Sequence, residues 1–160
     1  MKIGLLMPFT GYTANPAAFA RTAEALRDGW VHTGDVGYLD EHGFLYIVDR
    51  KRDMVVSGGF NVFPRQVEDV LLRHPAVAQA AVIGVPHPKW GEAVHAAVVL
   101  RLGAEASADE LIAAVKKELG SVSAPKTIAF AGELPVNPAG KVDKKALRAP
   151  FWANRERQVS

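Results

Sequence analysis

In the segment Pro135-Val136-Asn137-Pro138-Ala139-Gly140-Lys141 a lysine follows a glycine, in a stretch stiffened by two prolines. Such a loop presents one ammonium at its tip, a group able to meet negative charge as it develops. Far upstream, Thr33-Gly34-Asp35 and Asp49-Arg50-Lys51-Arg52-Asp53 supply a carboxylate with two acceptor oxygens and a forked, permanently charged guanidinium. Ser57-Gly58-Gly59-Phe60-Asn61 and Pro86-His87-Pro88-Lys89-Trp90-Gly91-Glu92 lie between them in the chain. Glycines without side chains let a thin ligand pass close to backbone. Each of these features also has a plainer reading. Lys141 reads as a solvated cation in a basic run, Asp35 as a turn aspartate beside Gly34, and Arg52 as a linker charge. Gly58 and Gly59 read as a hairpin turn, and Trp90 as an aromatic closing a proline loop. His32, His42, His74, His87 and His95 have no metal-ligand spacing, so no metal site is expected.

The elements that must carry these residues are legible from pattern. Lys2 to Phe9 is an apolar run suited to a buried strand. Asn15-Pro16 then opens a helix whose apolar positions are Ala17, Phe19, Ala20, Ala23 and Leu26. Tyr38-Leu39 and Phe44 to Val48 flank Asp40-Glu41-His42-Gly43 as a hairpin, and Met54 to Val56 pairs with Phe60 to Val62 as a second. Pro64 starts a helix with Val67, Val70 and Leu71 on one face, ended by His74-Pro75 because a residue before proline leaves helical geometry. Val77 to Val85 and Ala93 to Leu102 read as strands separated by the proline-rich loop. Ser107 with Glu110 forms a capping box for a helix whose stripe is Leu111, Ile112, Val115 and Leu119, stopped by Gly120. Thr127 to Ala131 reads as a short strand, Lys144 to Arg148 as one helical turn, and Phe151 to Ser160 as a loose polar tail.

Composition excludes several classes. The 160 residues balance 19 Lys and Arg against 17 Asp and Glu, so the net charge of +2 gives no ground for a nucleic-acid partner. No apolar run reaches the ~18 residues of a membrane span, and none resembles a signal peptide. The chain has no cysteine, which suits a reducing compartment, and the expected localisation is cytoplasmic.

From Asp28 to Arg148 the chain resembles the C-terminal portion of AMP-forming acyl-CoA synthetases, the family that includes firefly luciferase and peptide-synthetase adenylation domains. The resemblance rests on five motifs in fixed order: Gly29 to Asp35, Asp49 to Asp53, Ser57 to Pro64, Gly84 to Glu92 and Asn137 to Lys141. Phe60-Asn61-Val62 after the glycine pair and Trp90-Gly91-Glu92 are most similar to fatty-acid and other carboxylate–CoA ligases. In that family a carboxylate attacks the α-phosphate of ATP, giving acyl-AMP and pyrophosphate, and the thiol of CoA then displaces AMP. The C-terminal domain rotates between the steps. The resemblance implies that Lys141 is the adenylation lysine, that Asp35 and Arg50 bind the nucleotide, and that Arg52 occupies the hinge position, usually lysine in this branch. It also implies that Gly58, Gly59 and Trp90 line the CoA tunnel. Ser57 to Asn61 being longer than turn chemistry requires favours the tunnel over a plain turn. The implied substrates are ATP, with AMP as product, and CoA, with magnesium in the intact family; no group is expected to stay tightly bound to this chain.

The expected fold is α+β, a small mixed sheet covered by two helices, preceded by a hairpin remnant of the large N-terminal domain. The expected division is 1–27 as a strand-turn-helix whose origin stays open between two readings, 28–48 as the end of the N-terminal synthetase domain, and 49–53 as the hinge. Residues 54–148 would be the C-terminal domain and 149–160 a tail. Residues 1–26 can be laid on the synthetase segment before Trp30 with a few extra residues. They also resemble the first strand and helix of luciferase-like flavin or deazaflavin monooxygenases, which would imply a fusion near Leu26 to Asp28. The phosphate-binding loop and the Tyr-Gly-x-Thr-Glu segment of the intact family do not occur here. Ser121 to Ala124 departs from the aromatic and basic pattern usual before Pro125-Lys126, which removes support for contacts to the CoA nucleotide. The resemblance therefore leaves open whether this chain alone is an enzyme and implies no adenylation by it in isolation. The alternatives are an interaction module that completes a separate N-terminal half in trans, self-association, or a non-functional remnant.

Overall fold

The computed structural model describes residues 3–8, 26–27 and 30–153. Its contacts divide into two compact units, Met1–Lys51 and Arg52–Ser160. The division falls within the charged run Asp49 to Asp53.

In the first unit the pairing among the described residues converges on β3 (Trp30–Leu39). Strands β1 (Ile3–Pro8), β2 (Leu26–Arg27) and β4 (Leu45–Arg50) each pair with it antiparallel. The expected first strand and first hairpin are both present, the hairpin with longer arms. Its turn is fixed by Asp40, whose Oδ1 accepts the N–H groups of His42 and Phe44, both at 2.9 Å. The helix expected from Asn15 lies outside the described residues, except that Leu26, its last apolar position, stands in β2. Pairing with Val31 takes precedence there over helical periodicity.

In the second unit the strands are β5 (Val55–Ser57), β6 (Phe60–Val62), β7 (Val77–His87), β8 (Gly91–Leu100) and β9 (Thr127–Phe130). The sheet runs β6-β5-β8-β7, and β9 joins β8 in parallel. The helices are α1 (Pro64–Leu72), α2 (Ala108–Ser123) and α3 (Lys144–Trp152). Pro64 sits at the start of α1, where a missing N–H costs nothing. Ser107 Oγ accepts the Glu110 N–H at 3.2 Å, while the Glu110 carboxylate lies against His74 Nε2 (3.2 Å), so the expected capping box forms only its serine half. At Gly120 the backbone leaves helical geometry (φ 82°), and a short turn follows to Ser123.

Alternation along β7 and β8 sends side chains to both faces of the sheet. Val82, Val94, Ala96 and Val98 join Val67, Leu71, Leu111 and Val115 in one core, on the face covered by α1 and α2. Ala81 and Ala97 join Leu134 in a second, against which Val142 and Leu147 pack. Burying a Leu or Val so fully stabilises the fold by about 1.5–3 kcal/mol each.

Three expectations need correction. The sheet is covered by three helices rather than two, because α3 carries Leu147 onto the second face. The proline-rich loop shrinks to a hairpin tip, since β7 continues through Pro86 and His87, which pair with Glu92 and Gly91. The last helix is no single turn, and the tail does not begin at residue 149. Helix α3 runs on to Trp152, held by the Phe151 ring packing on His95 (5.0 Å) and by Trp152 Nε1 donating to the Gly84 carbonyl (3.0 Å). Residues 154–160 lie outside the described residues. No helix among the described residues is long and apolar enough to cross a membrane.

Candidate functional site

The residues singled out by type fall into groups, each built within one unit. In the first unit Asp35 and Arg50 stand directly opposite each other on β3 and β4. Asp35 is therefore a strand residue, not a turn aspartate. Gly34, at φ 75°, sits where the β1–β3 register shifts, and such a bulge redirects the neighbouring side chain. The Asp35 N–H donates to Thr33 Oγ1 (3.2 Å), and Arg50 Nε lies 3.5 Å from Asp35 Oδ1. That separation is ionic rather than a hydrogen bond and leaves the carboxylate's acceptor positions available.

In the second unit two hairpins meet. Gly58 and Gly59, at φ 58° and 84°, form the two-residue turn between Ser57 and Phe60. Positive φ at both positions is what a type I′ turn demands, so the turn by itself calls for this glycine pair. The expectation that the segment exceeds the needs of a turn is corrected here. The Gly58 N–H donates to the Trp90 carbonyl at 2.9 Å, tying this turn to the β7–β8 tip. His87 stacks on Trp90 with ring centroids 4.1 Å apart, and its Nδ1 accepts from the N–H groups of Lys89 and Trp90. Lys126 Nζ stands 5.4 Å from the Trp90 ring centroid, a cation–π separation. The result is a half-buried aromatic platform with one ammonium and two exposed glycines beside it. Beneath it the buried Glu92 carboxylate accepts the Val56 N–H (3.0 Å). A side chain at Gly84 would displace that carboxylate, since an added Cβ would lie 2.7 Å from Glu92 Oε2.

Lys141 stands on a separate loop organised by Asn137. The Asn137 side-chain carbonyl accepts the N–H groups of Ala139 (2.9 Å) and Lys141 (3.1 Å), while its own backbone N–H donates to the Lys141 carbonyl (2.7 Å). Gly140 takes φ 73°, and Val136 bridges Val142. The backbone is thus pinned on both sides of an exposed lysine side chain. Asp143 closes the loop by donating its N–H to the Pro135 carbonyl (2.7 Å) and caps α3 by accepting from Lys145 and Ala146. Arg52 lies in the short 3-10 turn Lys51–Asp53.

Sequence reasoning names His87 and Glu92 within the Gly84 to Glu92 motif and Lys126 beside Pro125, but gives none of them a place in the site. The spacing of His87 to Trp90 across a tight turn is an available signal for the stack, but nothing local announces Lys126 or the burial of Glu92. Elsewhere, burial holds the His95 imidazole below its ordinary pKa, with Thr127 Oγ1 at 2.7 Å from Nδ1. Among the described residues there is no cluster of three or more potential metal ligands.

Residues 66–141 match the family described as the AMP-binding enzyme C-terminal domain. The chain is 54% identical over 145 residues to the medium/long-chain-fatty-acid–CoA ligase FadD8 of Mycobacterium tuberculosis, covering 86% of this chain and 25% of that protein. It is 45% identical over 137 residues to a long-chain-fatty-acid–CoA ligase of Bacillus subtilis, covering 86% and 24%. With the fatty acid–[acyl-carrier-protein] ligase ScoC of Streptomyces coeruleorubidus the alignment covers 88% of the chain, about 141 of its 160 residues, and so enters the segment before Asp28. Among solved structures, the amide bond synthetase McbA from Marinactinospora thermotolerans superposes with a TM-score of 0.75 at 47% identity, over 83% of this chain and 27% of that one. The o-succinylbenzoate–CoA synthetase MenE from Bacillus subtilis, in complex with the acyl-adenylate intermediate OSB-AMP, gives 0.73 at 39% identity, over 86% and 27%. The chain spans about a quarter of the length of the curated relatives it matches. Residues 66–141, on the α+β fold that carries them, thus belong to the AMP-binding enzyme C-terminal domain family.

Proposed function

We propose that these residues form the C-terminal part of an AMP-forming acyl-CoA ligase acting on a fatty or similar carboxylic acid, and that they deliver Lys141 to the adenylation step. The observation that carries this reading is the Lys141 loop: a backbone pinned by Asn137 and Asp143, holding one exposed ammonium, in a domain of this family. When the substrate carboxylate attacks the α-phosphate of ATP, its oxygen forms the new P–O bond and pyrophosphate leaves with the electrons of the broken one. Charge accumulates on the α-phosphoryl oxygens, and a pre-positioned ammonium stabilises that state more than the ground state. In the second step the CoA thiol adds to the acyl carbonyl and AMP departs.

Asp35 would accept hydrogen bonds from the ribose hydroxyls, with Arg50 holding the carboxylate in place and facing phosphate. The Trp90 platform with Gly58 and Gly59 would pass the pantetheine arm. Arg52 would be the hinge that exchanges the two arrangements. ATP and CoA are the substrates of this reading, with magnesium accompanying ATP. The identities to fatty-acid–CoA ligases support the acid class.

A second reading concerns partnership. Tyr38, Leu39, Phe44, Leu45, Tyr46 and Ile47 are all exposed on the β3–β4 hairpin, which favours a further body of protein covering them. The partner of this reading is a synthetase N-terminal region, which carries the phosphate-binding loop in the intact family.

ATP–pyrophosphate exchange over a panel of fatty and aromatic acids tests both readings, using the chain alone, the chain with a ligase N-terminal region, and the same mixture with Lys141→Ala. Exchange only in the mixture, reduced about a hundredfold or more by the substitution, is the expected result for a transition-state charge stabiliser. Exchange undiminished by Lys141→Ala would remove the assigned role.

A further inference from the structure

Helix α3 begins directly after its cap Asp143, and its residues Lys144, Arg148 and Trp152 recur every four positions, on one face. Each makes a polar contact with a different part of the second unit. Lys144 Nζ reaches the buried Glu68 carboxylate on α1 at 2.7 Å, where Glu68 also accepts the Val82 N–H at 2.7 Å. Trp152 Nε1 donates to the Gly84 carbonyl on β7 at 3.0 Å. Arg148, between them, reaches back 95 residues: its Nη2 donates to Asp53 Oδ1 at 2.7 Å, both side chains being 15% exposed. Its Nη1 stands 3.3 Å from the main-chain carbonyl of Arg52, and its Nε donates to the Lys144 carbonyl at 3.0 Å.

We infer that Arg148 is a positioning residue that clamps the Arg52 carbonyl to the second unit. It thereby sets where the hinge stops and couples that point, through α3, to the Lys141 loop. The inference rests on the reading of Arg52 as the hinge. The chemistry favours arginine for this task. A planar fork serves Asp53 and a carbonyl at once, whereas a lysine ammonium in the same place would hold the carboxylate as a point charge. With the Arg52 carbonyl held, rotation is confined to bonds on the N-terminal side of that peptide. The clamp and the lysine loop then move as one rigid piece, because Asp143 is at once the last anchor of the loop and the cap of α3.

The experiment is limited trypsin digestion of the full chain, since Arg50, Lys51 and Arg52 each offer a cleavable bond. Cleavage rates at the three bonds are measured in wild type, Arg148→Met, Arg148→Lys and Lys144→Met, with thermal midpoints recorded for all four. In wild type the bond after Arg52 should be cut more slowly than the two before it. Arg148→Met should raise cleavage after Arg52 about tenfold, the factor of one lost charge-assisted hydrogen bond in a local opening equilibrium, and leave the other two bonds unchanged. Arg148→Lys should keep much of the thermal midpoint yet leave the Arg52 bond raised. Lys144→Met removes a comparable α3 contact away from the hinge, so it should lower the midpoint without altering the ratio among the bonds. An unchanged ratio in Arg148→Met, an equal rise at all three bonds, or the same ratio change in Lys144→Met would overturn the clamp. Failure of the hinge reading is separately visible: wild-type bonds after Arg50 and Lys51 would then be cut no faster than that after the exposed Arg101.

Discussion

In the second unit, Val55, Val67, Leu71, Val82, Val94, Leu111 and Val115 are at most 1% exposed, packed into a core that α1, α2 and the sheet close among themselves. In the first unit, Tyr38, Leu39, Phe44, Leu45, Tyr46 and Ile47 are exposed by 38% to 66%, and every buried hydrophobic residue among those described lies in the other unit. Both units follow the alternation of a sheet, and the helices among the described residues cover that of the second. The contrast separates two uses of apolar residues. In the second unit they hold a fold together, and on the β3–β4 hairpin of the first they form an exposed surface. The candidate residues divide in the same way. Asp35 and Arg50 sit on the sheet of the first unit, while Lys141, Trp90 and the glycine pair are built on the second.

The strongest way to break this comparison is to truncate a side chain on each side of it. Leu111→Ala should cost about 2–5 kcal/mol in denaturant unfolding, because a fully buried leucine leaves a cavity. The matched Tyr46→Thr should stay within about 0.5 kcal/mol, apart from its stacking on Tyr38. Comparable losses from the two would erase the distinction. Gly84→Ala sharpens it at the next level, since its Cβ would meet the Glu92 carboxylate beneath the platform. Overpacking of about 1–3 kcal/mol is expected, with the Trp90 fluorescence environment altered.

A smaller effect concerns pH. The folded pKa of His95 lies below its ordinary value because burial disfavours the imidazolium. The unfolded chain therefore takes up this proton first on acidification. The contribution of His95 is present in full above about pH 6.5 and is lost as pH falls below it towards the folded pKa. His95→Gln should flatten that part of the stability profile, and a wild-type profile no steeper than the variant's would contradict the assignment.

The parts of the fold legible in sequence are those with local chemistry. Pro64, the Ser107 cap and the Gly58-Gly59 turn each declare themselves within a few residues, and each stands where the pattern puts it. Helix α3 is under-read by the same approach because its anchors lie far away in the chain. Phe151 meets His95, Trp152 meets Gly84, Lys144 meets Glu68 and Arg148 meets Asp53, and none of these pairs is visible to a local pattern. Pro150 within the helix further disguises it. For the site, motif order gives residue identities. It cannot give the Asn137 cage around the Lys141 backbone or the stack of His87 on Trp90, which arise from turn geometry.

The parallel pairing of β9 with β8 also governs the order in which the molecule assembles. Strands β7 and β8 are neighbours in sequence and join through a short tip, so they can zip together early. Strand β9 cannot reach its parallel register until the chain between them has been taken up by α2. The edge of β8 from His95 to Val98 thus stays open during folding for as long as that helix takes to dock. An unpaired apolar edge is a template for other chains, so a slowly docking α2 would appear first as aggregation during refolding, before any loss of equilibrium stability.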